Sequence, residues 1–177
     1  MSADTSEGHG GGMPGHMIPV ALRELDATDG GLLDEVFAGM SAESRALRYL
    51  TPMPVLHEQT RRILSAVDGC RHVAVVALAH GEAIGIARMI SLGGRRAELA
   101  VEVADDWQGL GVGTRLALWI RDRAARLGYT ELVAESSARN HRAHALMDRV
   151  FPDHTAHREG TDLVFTFSLA PSRTDVA

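Results

Sequence analysis

The sequence has one cysteine, no long apolar run and no excess of basic charge. The single Cys70 excludes an internal disulfide framework. No apolar run approaches the roughly 20 residues that span a bilayer. The N-terminus lacks a basic patch followed by an apolar core, so no signal peptide is expected. A formal charge of −5 argues against a dedicated nucleic-acid binder. These absences predict a cytoplasmic protein with no nucleic-acid or membrane partner.

The chain has enough apolar material for one domain. It has 177 residues, of which 45% are hydrophobic. This length and composition suit a single domain with one hydrophobic core. Residues 1–17 are rich in Gly and His and hold little to bury, so they are predicted to form a flexible tail. His9 and His16 in that tail could bind a stray metal, but a flexible polar segment is the favoured interpretation. The predicted domain covers 18–169, and 170–177 form a second flexible tail.

Hydrophobic periodicity predicts an α+β (mixed α/β) domain around one sheet. Helical spacing predicts three helices between a first strand and a β-hairpin that turns at His80 and Gly81. The predicted strands are 18–26, 72–80, 82–92, 95–105, 129–136, 155–160 and 161–169. A long helix from about Gly111 to Leu127 ends at Gly128, and a shorter one covers 139–150.

The segment QGLGVGT joins a predicted strand to the long helix. Gly109, Gly111 and Gly113 allow the loop to curl so that several N–H groups converge. The first N–H groups of a helix have no intrahelical acceptor, and the helix dipole adds positive charge there. The segment therefore predicts a site for phosphate or diphosphate, to which the Thr114 hydroxyl and Arg115 can contribute. A tight turn without a ligand is the alternative.

Two common phosphate motifs are absent. A P-loop needs lysine after its last glycine, whereas Thr114 and Arg115 stand there. The dinucleotide fingerprint needs a glycine at position 114, which is threonine. The pattern that fits is Q/R-x-x-G-x-G/A, represented here by Gln108, Gly109, Leu110, Gly111, Val112 and Gly113.

With this motif the chain resembles the GNAT superfamily of acyl-CoA-dependent N-acyltransferases. The stretches MSAESRALRYLTPMP, GEAIGIARM and AELAVEVADDWQGLGVGT are similar to bacterial protein lysine acetyltransferases of the Pat type. The resemblance implies a single GNAT-like domain with a central, mostly antiparallel sheet flanked by helices. It also implies acetyl-CoA (coenzyme A) as cofactor, with the diphosphate held by the amides of the glycine turn.

The resemblance implies a general base on the strand before the turn. Alternation places Glu98 and Glu102 on one face of that strand. Glu98 matches the Pat-type glutamate in AE-x-A and is the first candidate, acting through water on the attacking amine. Glu102 is the second candidate, and a solvated acidic face is the alternative for both. Val101 and Val103 would offer main-chain groups to the pantetheine and the thioester carbonyl.

One position departs from the superfamily pattern N-x-x-A-x-x-L-Y. Asn140 fits a helix that lines the cofactor, but Met147 holds the tyrosine place and cannot donate a proton. Solvent would then protonate the leaving thiolate, unless His144 substitutes. Trp107 and Trp119 are predicted to be packing residues, and no histidine or cysteine cluster has metal-ligand spacing.

The predicted reaction is transfer of an acetyl group to a lysine side chain of a protein such as an acyl-CoA synthetase. Two alternatives remain open. One is a small-amine acetyltransferase that acts on a polyamine, an aminoglycoside or an amino acid. The other is a non-catalytic acyl-CoA sensor. A homodimer is a further expectation, because dimers are common in the superfamily.

Overall fold

A computed structural model describes residues 19–169. The predicted tails 1–17 and 170–177, with His9 and His16, lie outside the described residues. Within residues 19–169, no helix is long and apolar enough to cross a membrane.

Seven strands and five α-helices make up the described residues. The strands are β1 (Val20–Glu24), β2 (His72–Ala79), β3 (Glu82–Gly93), β4 (Arg96–Val103), β5 (Glu131–Ser137), β6 (Thr155–Glu159) and β7 (Asp162–Ser168). The helices are α1 (Gly30–Ala38), α2 (Ala42–Tyr49), α3 (Glu58–Ser65), α4 (Val112–Arg126) and α5 (His141–Val150).

The strands form one sheet in the order β1-β2-β3-β4-β5-β7-β6. Among the strand pairs within residues 19–169, only β4 and β5 are parallel, and α4 makes the crossover between them. The hairpin predicted at His80 and Gly81 is present, with both residues at positive φ. The α+β class and the mostly antiparallel sheet are confirmed.

Each face of the sheet buries its own core. Alternate residues of β2 to β5 and β7 pack against Leu116, Ala117 and Ile120 of α4. Trp107 and Trp119 pack against the same core, as predicted. The opposite face packs Val76 and Ile86, with their neighbours, against α1 and the loop before α3. The helices therefore lie on both sides of the sheet.

The elements differ from the prediction mainly at their ends. The strand expected over 95–105 stops at Val103, because Asp105–Trp107 form a 3₁₀ turn. Asp29 begins α1 but does not cap it with its side chain, since both of its carboxylate oxygens accept from Arg23.

His72, the first residue of β2, lies buried with its Nε2 lacking a hydrogen-bond partner among the described residues. Burial and the charge of Arg88 lower the pKa of His72, although an Ala66 main-chain hydrogen bond and Asp68 act the other way. The fold therefore prefers the neutral ring.

We expect the free energy of unfolding to fall as the pH drops below about 6.5, the value for an unperturbed histidine. The stabilisation by the neutral His72 ring is complete above that pH, and it is lost as the pH falls to the lower pKa of His72 in the folded protein. Urea unfolding of wild type and His72→Gln between pH 5 and 7.5 measures it. An unchanged slope in the variant would assign the effect to other groups.

Candidate active site

The sheet opens between β4 and β5. Their parallel pairing covers three residue pairs and ends where Glu98 meets Val133. Beyond that point β4 continues to Val103 and β5 to Ser137 without pairing to each other. Main-chain groups on this side of β4 are therefore left without a strand partner in β5. We call this opening the split.

The glycine turn stands at the end of the split and begins α4. Gly109 and Gly111 have φ of 78° and 83°, a left-handed conformation that side chains other than glycine's rarely adopt. Gly111 is the N-cap residue, and no side chain caps the helix. The first amides of α4 are therefore available to an anion. Val112 is buried, so only its main chain can contribute, whereas Leu110 is exposed.

Gln108 holds the turn against the surrounding elements. Its Nε2 donates to the carbonyl oxygen of Val103 at 3.0 Å and to Asp105 Oδ1 at 3.0 Å. A longer contact of 3.4 Å reaches Ser44 Oγ in α2. The Gln108 side chain thus connects the end of β4 to the helix that flanks the split.

The segment between α1 and α2 lies close to the end of β4. The main-chain N–H of Asp105 donates to the carbonyl of Gly39 at 2.9 Å. A Cβ added at Gly39 would stand 2.7 Å from the Cβ of Ala104. Only glycine permits this approach, which fixes α2 beside the split.

Glu98 lies where the β4–β5 pairing ends, and its side chain is solvent-exposed. It faces away from the core under α4, because its neighbours Ala97 and Leu99 pack there. Glu135 of β5 is also exposed and lies on this same face, two residues beyond the register partner of Glu98. Two carboxylates therefore flank the split on its open face.

Glu102 lies on the same face of β4 but in a different environment. Its side chain is 1% exposed, and its Oε1 accepts from Arg88 Nη2 at 2.9 Å. Its Oε2 accepts from Tyr49 Oη at 2.9 Å, with Arg48 Nε 3.7 Å away. Both carboxylate oxygens are thus engaged by protein groups.

The partners of Glu102 decide its charge. Burial alone would raise the pKa of this carboxyl, but Arg88 and Arg48 outweigh burial and lower it. Burial and the neighbouring carboxylate raise the pKa of Tyr49. Glu102 is therefore an ionised structural carboxylate that joins α2 to β3 and β4. Arg88 extends the network to α3 by donating to the carbonyl of Leu64 at 2.8 Å.

The remaining candidates lie around the N-terminal ends of α4 and α5. Val101 and Val103 pack against the core with their side chains, which leaves their main chain to line the split. Thr114 is partly buried in the first turn of α4. Asn140 begins α5, and its Oδ1 accepts from the N–H of Ala143.

Met147, which stands where the superfamily pattern has tyrosine, lies in the core. Met147 is 5% exposed and belongs to the cluster under α4. His144 Nε2 contacts the carbonyl oxygen of Ser137 at 3.1 Å, and its ring lies beside Phe165. Met147 has no proton to donate, and the contact of His144 Nε2 is with a main-chain carbonyl at the end of β5.

Arg88, Tyr49, Arg142 and Glu135 lie around the split without having been predicted from the sequence, and Arg115 has a different partner from the one predicted. Arg88 could have been found, because a charge in the apolar run GIARMI needs a buried partner. Tyr49 and Arg142 carried no comparable signal. Arg115 donates to the carbonyl of Val20 at 2.8 Å instead of facing the turn.

Other features of the described residues lie apart from the split. A cavity of about 490 Å³ is lined by the C-terminal half of α4 and the ends of α5 and β7. We take the split as the candidate site because the glycine turn lies at one end of it and the exposed Glu98 and Glu135 lie along its open face. No three His, Cys, Asp or Glu residues gather as metal ligands in the part of the chain that the structure describes.

Comparison with protein families gives one match. The model of the acetyltransferase (GNAT) family matches residues 39–151, which include β2 to β5, the glycine turn and α5. No curated protein sequence matches the chain.

Solved structures share the fold. The GNAT domain of Streptomyces lividans PAT superposes with a TM-score of 0.78 at 23% identity, covering 89% of this chain and 100% of that one. The paiA N-acetyltransferase of Thermoplasma acidophilum, solved with coenzyme A, gives 0.67 at 15% identity over 85% and 99% of the two chains. The yncA protein of Salmonella typhimurium, solved with acetyl-CoA, gives 0.62 at 19% identity over 88% and 99%.

Proposed function

The chain belongs to the acetyltransferase (GNAT) family, and from that premise we propose that it acetylates lysine side chains of a protein substrate, with acetyl-CoA as donor and Glu98 as general base. The observation that carries the proposal is an exposed carboxylate at the point where β4 and β5 separate, in a split whose other end holds an uncapped helix that begins at a glycine turn. An acyl-CoA synthetase is one substrate of the proposed class.

The residues at the split fit the donor. Its diphosphate suits the uncapped amides of Val112, Gly113 and Thr114, which carry the positive end of the α4 dipole. Gly109 and Gly111 leave open space where a Cβ would otherwise point. The pantetheine arm has two amides, which match the main chain of Val101 and the N–H of Val103, where β4 has no strand partner in β5. The carbonyl of Val103 already accepts from Gln108.

The thioester supplies an activated carbonyl to the incoming amine. A lysine amine has a pKa of about 10.4, so at neutral pH it must lose a proton before it can attack. Glu98 is exposed and free to accept that proton through water. Glu102 is assigned a structural role, because Arg88 and Tyr49 occupy both of its oxygens.

The charge on the open face favours a cationic acceptor. Glu98 and Glu135 lie on either side of the split, and neither forms a salt bridge within residues 19–169. Carboxylates there attract an ammonium group before it is deprotonated. A lysine on a protein surface can reach two exposed side chains without entering a deep pocket, which supports the protein acceptor.

The function is tested by incubating a cell extract with isotope-labelled acetyl-CoA, with and without the enzyme, followed by mass spectrometry. We expect labelled lysines in a small number of proteins, with loss of label in Glu98→Gln. Label confined to small amines would support the small-molecule alternative. Binding of acetyl-CoA without any labelled product would identify a sensor and refute the proposed catalysis.

Gly111→Ala should weaken acetyl-CoA binding about tenfold, because the alanine turn relaxes out of the left-handed conformation in the free protein and must return to it when the ligand binds. A residue other than glycine in the left-handed conformation costs roughly 1–2 kcal/mol, and 1.4 kcal/mol corresponds to tenfold in affinity. Gly113→Ala is the matched control, because its Cβ would meet Val103 Cγ2 at an ordinary 3.6 Å. Calorimetric titration of both variants measures the difference. Equal losses in the two would show that the positive φ at Gly111 is not what matters.

A further inference from the structure

Arg142 makes a contact across the split. It lies in the first turn of α5, which follows β5, and its Nη1 donates to Oε1 of Gln108 at 2.6 Å. Gln108 in turn donates to the carbonyl of Val103 at the end of β4. The two elements that separate after Glu98 are therefore reconnected at their far ends by one exposed guanidinium.

Packing of α5 places Arg142 beside the glycine turn. Leu146, one helical turn further along α5, lies next to Gly113, where a Cβ would meet its Cδ2 at 3.7 Å. Residues four apart lie on one face of a helix. Arg142 is therefore on the face of α5 that meets the N-terminal end of α4, and its bond to Gln108 is consistent with that position.

The charge of Arg142 is not neutralised by a salt bridge in the described residues 19–169. Asp105 is an acidic group close enough for its pKa to be affected by the charge of Arg142. Burial raises the pKa of Asp105, but hydrogen bonds from Ser44 and Ser41 and the charge of Arg142 lower it overall. Asp105 also accepts from Gln108, so its oxygens are shared among several donors.

Arg115, the other arginine near the turn, already has a partner in the Val20 carbonyl. Arg142 is bound only to a neutral amide oxygen, which is a weaker acceptor than a phosphate oxygen. Its planar guanidinium can donate two parallel hydrogen bonds to a phosphate. The positive charge at the turn is therefore completed by α5 and not by α4 alone.

We propose that Arg142 binds a phosphate group of the acyl donor, exchanging the Gln108 amide oxygen for phosphate oxygens. The inference rests on the proposed function, and it adds a ligand from the far side of the split to the amides of the glycine turn. The phosphate is either the diphosphate or the 3′-phosphate of coenzyme A.

The test compares wild type with Arg142→Met, using Arg149→Met as control. Arg149 is exposed in the last turn of the same helix, so its replacement makes the same change in net charge. Calorimetric titration with coenzyme A should show Arg142→Met binding roughly 10- to 100-fold more weakly, the usual range for a lost hydrogen bond to a charged group. Arg149→Met should stay within about twofold of wild type, because charge far from the ligand is screened by salt.

Two further ligands separate the sources of the phosphate. Dephospho-coenzyme A keeps the diphosphate but lacks the 3′-phosphate. If Arg142→Met also binds this ligand more weakly than wild type does, the contact is with the diphosphate. If the two proteins bind it equally well, the contact is with the 3′-phosphate. With acetyl-pantetheine, which has neither group, both proteins should turn over an amine at equal rates. A loss of that activity would indicate damage to the fold and would overturn the assignment.

If Arg142→Met binds coenzyme A with an affinity within twofold of wild type, or more tightly, the inference is overturned and the proposed function is unaffected. An equal loss in Arg149→Met would overturn it as well. If wild type binds no coenzyme A, the proposed function itself fails, and the inference fails with it.

Discussion

Glu98→Gln lowers kcat/KM for the amine acceptor by about 100-fold or more at pH 7, the lower part of the range that general-base catalysis contributes. The glutamine keeps the size and polarity of the exposed side chain at the end of the β4–β5 pairing. Binding of acetyl-CoA should stay within about twofold of wild type, because the contacts proposed for the diphosphate lie at the glycine turn.

The pH profile distinguishes loss of a base from a general disturbance. In Glu98→Gln, the rate should keep rising as the pH approaches the amine's own pKa of about 10.4, since deprotonated amine then forms without help. Steady-state kinetics between pH 6.5 and 10 measure this. Glu82→Gln, an exposed change at the start of β3, is the control and should match wild type. Unchanged turnover in Glu98→Gln, with acetyl-CoA still bound, would show that another group accepts the proton.

Arg88→Met and Glu102→Leu should each lower the free energy of unfolding by about 3–5 kcal/mol, the usual cost of leaving one member of a buried ion pair without its partner. The two side chains are 2% and 1% exposed and lie 2.9 Å apart. The double variant should lose clearly less than the sum of the two, because no buried charge remains between β3 and β4. The free energy of unfolding of the double variant should still be below that of wild type, because the Leu64 carbonyl and the Tyr49 hydroxyl lose their hydrogen-bond partners.

Urea unfolding of all four proteins at pH 7 measures this cycle. Arg62→Met is the control, because its pair with Glu58 is 79% and 72% exposed and such pairs contribute less than about 1 kcal/mol. The lowered pKa of Glu102 means that its stabilisation is complete above the unfolded value of about 4.3 and is lost as the pH falls below it. Additive losses in the double variant would show that the two charges do not stabilise each other.

The local parts of the fold could be predicted because neighbouring residues determine them. The turn at His80 and Gly81 was predictable because the sequence shows a glycine between two β-rich runs, and in the structure both turn residues have positive φ. The glycine turn was recognisable for the same reason, since Gly109 and Gly111 allow a conformation that few other residues adopt.

The site could be predicted less completely because its contacts are distant in sequence. Alternation put Glu98 and Glu102 on one face of β4, but it cannot tell which of them a helix covers. Tyr49 and Arg88 bury Glu102, and neither is near it in the chain. Arg115 is close to the turn in sequence, yet the guanidinium at the turn is that of Arg142, which α5 brings there.

The short parallel junction has a consequence for how the protein assembles. Strands β2, β3 and β4 pair with their chain neighbours, as do β6 and β7, so these ladders close short loops at low entropic cost. The three rungs between β4 and β5 form only after the α4 crossover has folded back over the sheet. We therefore expect the two ladders to form before they join each other. The split between β4 and β5 should then be absent from partly folded forms of the protein.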